Sequence, residues 1–193
     1  MTPAQQRQKD EEELLQKLND PFYRLNTLYH IKREDDGQII QFKPYPEQTA
    51  VFEAVLTEGH KKIIIPKARR RGMSTGIDVL MYDQAMRNAG YEAGIVDRNQ
   101  NDASKKLENI IKVSHEKLPL FMQEGVKTIK NNDDRLAFQV DNDTTSNIYA
   151  ATGYRGGNCN FLHVSEWGWI QCEDPKRSEE IQTGAIQAAR KGQ

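Results

Sequence analysis

The sequence predicts an α/β fold: a mainly parallel sheet flanked by helices, preceded by a helical N-terminal extension. Two observations carry this. From Lys62 onward apolar strand-like runs alternate with helix-period segments, as βα units require. Before that point the punctuation is helical, with Thr2-Pro3 and Asp20-Pro21 each reading as a cap followed by a first turn.

Taken in order, a polar helix runs to about Leu18, and a second carries Phe22, Leu25, Leu28 and Tyr29. Alternation around "IKREDDGQIIQF" predicts a hairpin turning at Asp36-Gly37. "PEQTAVFEAVLTEG" reads as a helix from Pro46 with Val51, Val55 and Leu56 on one face and Gly59 as its stop. Ile63–Pro66 then reads as a buried strand, Thr75 to Asn88 as a helix, "YEAGIVD" (91–97) as a strand and Asp102 to Lys117 as a helix. Short strands follow at Val126–Ile129, Leu136–Val140 and Ser146–Ala150. A glycine-rich turn leads to the apolar "NFLHV", and Asp174-Pro175 caps a last helix to about Arg190. The strands Ile63–Pro66, Gly94–Asp97 and Phe161–Val164 are expected to be neighbours. The organisation divides at residues 1–42 and 43–193.

With 193 residues the chain can bury a sizeable core, and its 28% charged residues suit a polar globular protein. The net charge of −1 favours neither nucleic acid nor membrane, but its distribution is uneven. Lys61, Lys62, Lys67, Arg69, Arg70 and Arg71 fall in a stretch, His60 to Ile77, that holds no acid. No apolar stretch is long enough to span a bilayer, and the charged N-terminus lacks a signal-peptide core. Cys159 and Cys172 fit a reducing compartment, so the cytosol is the expected location. With His163 they would make three zinc ligands, but a fourth is missing and no C-x-x-C pair exists, which disfavours zinc.

The basic stretch contains a variant phosphate loop, "KARRRGMST". Against G-x-x-x-x-G-K-[ST], Gly72 takes the second glycine, Lys67 stands at the first, Met73 replaces the lysine and Ser74 is the hydroxyl for Mg²⁺. Helix N-terminal N–H groups, a cation and a hydroxyl are what nucleotide phosphates need. Lys67 can supply the cation by reaching across the loop, and Arg69, Arg70 and Arg71 offer more. A basic strand-to-helix turn with no ligand has the same letters. The second element is "NFLHVSEWGWI", an apolar strand ending in Ser165-Glu166. Glu166 can act as a general base, while Ser165 can hold a magnesium-bound water less firmly than an Asp. A strand-end acid without a role reads the same way.

The order of motifs is more specific than any one of them: variant loop, "GIVDRNQNDASKK", "GYRGGN", then "HVSEW". In this order the chain resembles, over about Lys43 to Arg190, the ATPase domain of the large terminase subunit, the motor that packages DNA into tailed-phage heads. The resemblance implies a P-loop NTPase (RecA/ASCE-like) fold that binds ATP and Mg²⁺ and hydrolyses ATP. The implied ATP-binding residues are Gln48, Tyr45 and Lys67, Ala68, Arg69, Arg70, Arg71, Gly72, Met73, Ser74 and Thr75. Gln48 would read the adenine edge, with Tyr45 or Phe42 stacking on the ring. The implied catalytic residues are Lys67, Glu166 and Arg155, the last a finger acting in trans. Metal would rest on Ser74 and, through water, on Ser165 and Glu166. The implied partners are double-stranded DNA, a portal protein on the procapsid, a small terminase subunit and further copies in a ring, with no membrane. The setting would be the host cytoplasm. The chain is expected to stop before the family's coupling motif and nuclease domain, so DNA cleavage is not expected. Two alternatives remain: a helicase-like translocase, which usually keeps the loop lysine and an Asp-Glu strand, and a non-hydrolysing DNA-binding or scaffold module.

Overall fold

Asp20-Pro21 separates the first two helices, α1 (Pro3–Asn19) and α2 (Pro21–Thr27), of a computed structural model that describes residues 3–68, 71–140, 144–153 and 159–186. The Asp20 carboxylate accepts the Phe22 N–H at 2.9 Å, and Pro21 has no N–H to leave unpaired. An antiparallel hairpin, β1 (His30–Lys32) with β2 (Ile39–Gln41), follows. Helix α3 (Pro46–Leu56) ends short of Gly59, as its sequence predicts. Its buried positions are Gln48 and Phe52, whereas Val51, Val55 and Leu56 are only half-buried.

The longest core helix is α4 (Met73–Arg87), in which Val79, Leu80, Met81, Tyr82 and Ala85 lose all solvent contact. After β3 (Glu92–Val96) comes a helical run: α5 (Gln100–Lys106), a π-helical turn over Leu107–Lys112, and α6 (Val113–Glu116). Asn99 starts it by accepting the Asp102 N–H at 2.9 Å. The short α7 (Leu120–Gln123) leads into β4 (Val126–Asn132), β5 (Arg135–Val140), β6 (Ser146–Ala151) and β7 (Phe161–Val164). Helices α8 (Trp167–Glu173) and α9 (Pro175–Glu180) close the described chain, with a π-helical turn over Ile181–Ala185.

Five strands form the main sheet in the order β4-β5-β6-β3-β7. β3 pairs in parallel with both β6 and β7, but β4-β5 and β5-β6 are antiparallel. The sheet is therefore mixed, not mainly parallel. Connection length explains this: β4 and β5 are joined through Asp133-Asp134 and β5 and β6 through residues 141–145, too few for the crossover that parallel neighbours need.

A second correction concerns Ile63–Pro66, which is irregular and pairs with no described strand; Ile64 is 79% exposed. Three isoleucines favour an extended backbone, but a strand forms only where a neighbour takes up its N–H and C=O groups. Of the three strands expected to be neighbours, β3 and β7 are adjacent and the third is absent.

The N-terminal elements share the main core. Leu18, Leu25, Leu28, Tyr29 and Phe42 pack in one cluster with α4, β3, β5 and β6. Arg24 grips Asp83 on α4 with Nε–Oδ1 2.7 Å and Nη2–Oδ2 2.8 Å, and Tyr29 donates to the same carboxylate at 2.7 Å. No described helix is long and apolar enough to cross a membrane.

Candidate functional site

Gly72 sets the geometry of the loop. It precedes α4 in the left-handed region, at φ 62°, where an L side chain is strained. Space is tight as well, because a Cβ would lie 3.2 Å from Gln48 Nε2 and 3.4 Å from the Tyr45 ring. The turn aims the first N–H groups of a fifteen-residue helix at the loop, a favourable place for an anion. Met73, at the position where a lysine would face phosphate, is buried in the protein instead. Thr75 is half-buried in the same turn, and Ala68 and Arg71 are exposed. Arg69, Arg70 and Arg155 lie outside the described residues.

Gln48 is 1% exposed and holds the loop from behind. Its Nε2 donates to the Gly72 carbonyl at 2.6 Å, and its Oε1 accepts the Tyr45 N–H at 2.7 Å. Both ends of the amide are thus engaged by backbone, so reading an adenine edge would require Gln48 to exchange a partner. Tyr45 is 60% exposed beside Gly72 and offers a free ring face, whereas Phe42 is in the core and offers none.

The strand-end pair meets the loop from the other side. Ser74 Oγ and Ser165 Oγ are 3.4 Å apart although 91 positions separate them. Lys67 Nζ lies 3.7 Å from Glu166 Oε1, so the basic stretch and the strand-end acid face each other. Glu166 has φ 57°, the one left-handed non-glycine among the described residues. That conformation costs an L-residue about 1–2 kcal/mol, and such strain persists where the surroundings hold it in place. Three residues back, on β7, His163 Nδ1 contacts Asp78 Oδ1 at 2.6 Å, tying β7 to α4 one turn beyond Ser74. Asp78 Oδ2 is buried without a hydrogen-bond partner among the described residues. Cys159 is buried, with Sγ 3.2 Å from the Phe161 carbonyl oxygen, and Cys172 is exposed.

Three residues of the site escaped sequence reasoning. Asp97 directly follows β3, beside Ser165, and Lys106 Nζ contacts both the Asp97 carboxylate and Ser165 Oγ. Arg177 of α9 donates to the carbonyls of Thr152, Arg98 and Asp97, stitching the C-terminal ends of β6 and β3 together. Asp97 did carry a signal, being an acid at the end of an apolar strand next to another such strand. Lys106 and Arg177 carried none, because only the folded helices bring them back to the strand ends.

Hydroxyl and carboxylate oxygens are the donors that magnesium prefers, and the α4 N-terminus suits phosphate, so the residues present fit a magnesium nucleotide. Among the described residues no group of three His, Cys, Asp or Glu side chains converges to hold a metal alone. A cation here would therefore share its ligands with a bound phosphate. The chain matches no protein-family model, and no curated protein shows significant similarity to it.

Proposed function

We propose that this chain is a P-loop-type ATPase of the DNA-packaging class, similar to the motor domain of a large terminase subunit. The observation that supports it best is the meeting of two distant sequence motifs: Ser74 of the loop lies 3.4 Å from Ser165, and Lys67 lies 3.7 Å from Glu166. A basic turn without a ligand gives no reason for a strand-end acid, a strained backbone at that acid and a displaced lysine to gather at one helix N-terminus.

In this reading the α4 N–H groups and Lys67 bind the β- and γ-phosphates, and Tyr45 stacks on the base. Ser74, and Ser165 through a water, would hold a magnesium ion, which when bound would neutralise charge on the phosphate oxygens. Glu166 takes the proton of the attacking water, with Lys67 holding its carboxylate in place beforehand. Arg155 completes the site of a neighbouring copy in a ring around double-stranded DNA at the procapsid portal, where a small terminase subunit also acts, in the host cytoplasm.

The test is titration of ATP with magnesium into the chain, followed by phosphate release with and without double-stranded DNA. Nucleotide binding in the low micromolar to millimolar range with turnover that Glu166→Gln abolishes supports an ATPase. DNA binding that weakens with salt while no nucleotide binds would replace it with a DNA-binding module. Unwinding of a duplex would replace it with a helicase.

A further inference from the structure

We infer that Asp97 supplies the carboxylate of the metal site in place of Ser165, and that Lys106 is a resident counter-ion which the metal displaces. The inference rests on the nucleotide reading above.

The placement follows from strand register. β3 and β7 run parallel with Val96 opposite Val164, and the Ser165 N–H donates to the Val96 carbonyl at 2.8 Å. The next residue on each strand, Asp97 and Ser165, therefore stands at the same end of the sheet, side by side. A carboxylate missing from one strand is present on its neighbour.

The ammonium of Lys106 marks where a cation is already stable. It contacts an Asp97 oxygen and Ser165 Oγ, and Ser165 Oγ is 3.4 Å from Ser74 Oγ. One positive charge thus sits on two hard oxygens beside a third, the hydroxyl that the loop motif assigns to metal. The two partners differ in freedom. Asp97 has a side chain only 2% exposed and is fixed by the Arg98 N–H, which it accepts at 2.7 Å. Lys106 keeps 18% of its side chain in solvent on a flexible four-carbon stem, so it can leave. A fixed anion with a mobile cation is an exchange site. If the pair served only to bind α5 to β3, apolar side chains of similar volume would do so without desolvating two charges.

Charge balance agrees. Without nucleotide, Lys106 balances Asp97 and Lys67 balances Glu166. A magnesium nucleotide brings its own cation and its own anion, which releases Lys106 from Asp97 and gives Lys67 a phosphate to face.

The test is calorimetric titration of ADP into the wild-type chain, Asp97→Asn and Lys106→Met, each with magnesium and with EDTA. Folding is checked by circular dichroism. The readout is the factor by which magnesium tightens ADP binding. In Asp97→Asn that factor should fall by about tenfold, a 1.4 kcal/mol change, while the affinity in EDTA is kept. In Lys106→Met it should rise, because the competing cation is gone. A full magnesium effect in Asp97→Asn overturns the inference, as does an equal loss with magnesium and EDTA, which marks a structural role. Weaker ADP binding by Lys106→Met in EDTA would make Lys106 a phosphate ligand instead and overturn its role as counter-ion. Should Asp97→Asn fail to fold, Lys106→Met decides alone: an unchanged or smaller magnesium effect sinks the exchange. A wild-type chain that binds ADP under neither condition refutes the nucleotide reading itself and this inference with it.

Discussion

Lys67 and Glu166 face each other at 3.7 Å across the mouth of the loop, joining the basic stretch to the end of β7. Lys61 and Lys62 belong to the same exposed stretch, but neither is paired with an acid among the described residues. Lys67→Ala should therefore weaken ATP binding by about tenfold or more, the scale of one charge-assisted hydrogen bond. Lys61→Ala and Lys62→Ala should each change it less than about twofold, as solvated charges do. Equal small effects in a titration of all three variants would end the displaced-lysine assignment.

In the proposed reading Glu166 combines the role of general base with a strained backbone at φ 57°. Glu166→Gln keeps the strain and removes the base, so it should bind ATP and fail to hydrolyse it. Glu166→Gly removes both, since glycine accepts φ 57° freely. Urea melts should find Glu166→Gly more stable than Glu166→Gln by about 1 kcal/mol, with both inactive. Equal or reversed stabilities would show that the left-handed backbone is not a cost at this position.

Asp83 is fully buried between Arg24 and Tyr29. Asp83→Asn leaves the Arg24 guanidinium buried without its counter-charge and should cost about 3 kcal/mol of stability. Arg24→Met combined with Asp83→Leu should restore most of this, because no unpaired charge remains. Chemical denaturation of the three proteins decides the matter, and a double variant as unstable as the single one would contradict the argument.

His115 should set part of the acid limit. Burial lowers its pKa from the ordinary 6.5 to about 4, and its ring nitrogens lie 2.8 Å from Tyr82 OH and 2.8 Å from Thr128 Oγ1. Between those two pH values the unfolded chain binds a proton that the folded chain refuses. Stability is then complete above pH 6.5 and falls as the pH drops towards 4, by about 3 kcal/mol for this group alone. His115→Gln should flatten that part of the stability–pH curve; an unchanged slope would assign acid sensitivity elsewhere.

Much of this architecture was legible before folding, for reasons that differ by element. Asp20-Pro21, Gly37 and Gly59 mark boundaries through local backbone chemistry and lie at or near the element ends expected from them, whereas α4 begins at Met73, directly after Gly72 and two residues ahead of the expected Thr75. Ile63–Pro66 failed because strand formation depends on a partner, which composition does not reveal. The mixed sheet was misread because strand direction lies in loop length, and the short links around β5 already required antiparallel neighbours. At the site, Ser74, Lys67 and Ser165-Glu166 were found as letters in motifs. Asp97 carries a signal as a strand-end acid but gains Ser165 as a neighbour only through the register of β3 on β7, and Lys106 reaches both only through the folding back of α5.

Helix α4 holds the loop at one end and Asp83 most of the way towards the other, about 14 Å along its axis from Ser74. A packed helix of this length moves as a rod. Any tilt or slide at its loop end is a displacement of the Asp83 carboxylate as well, and Arg24 either follows with α2 or gives up two buried hydrogen bonds. The N-terminal helices are thereby geared to the loop, like a pointer fixed to the far arm of a lever.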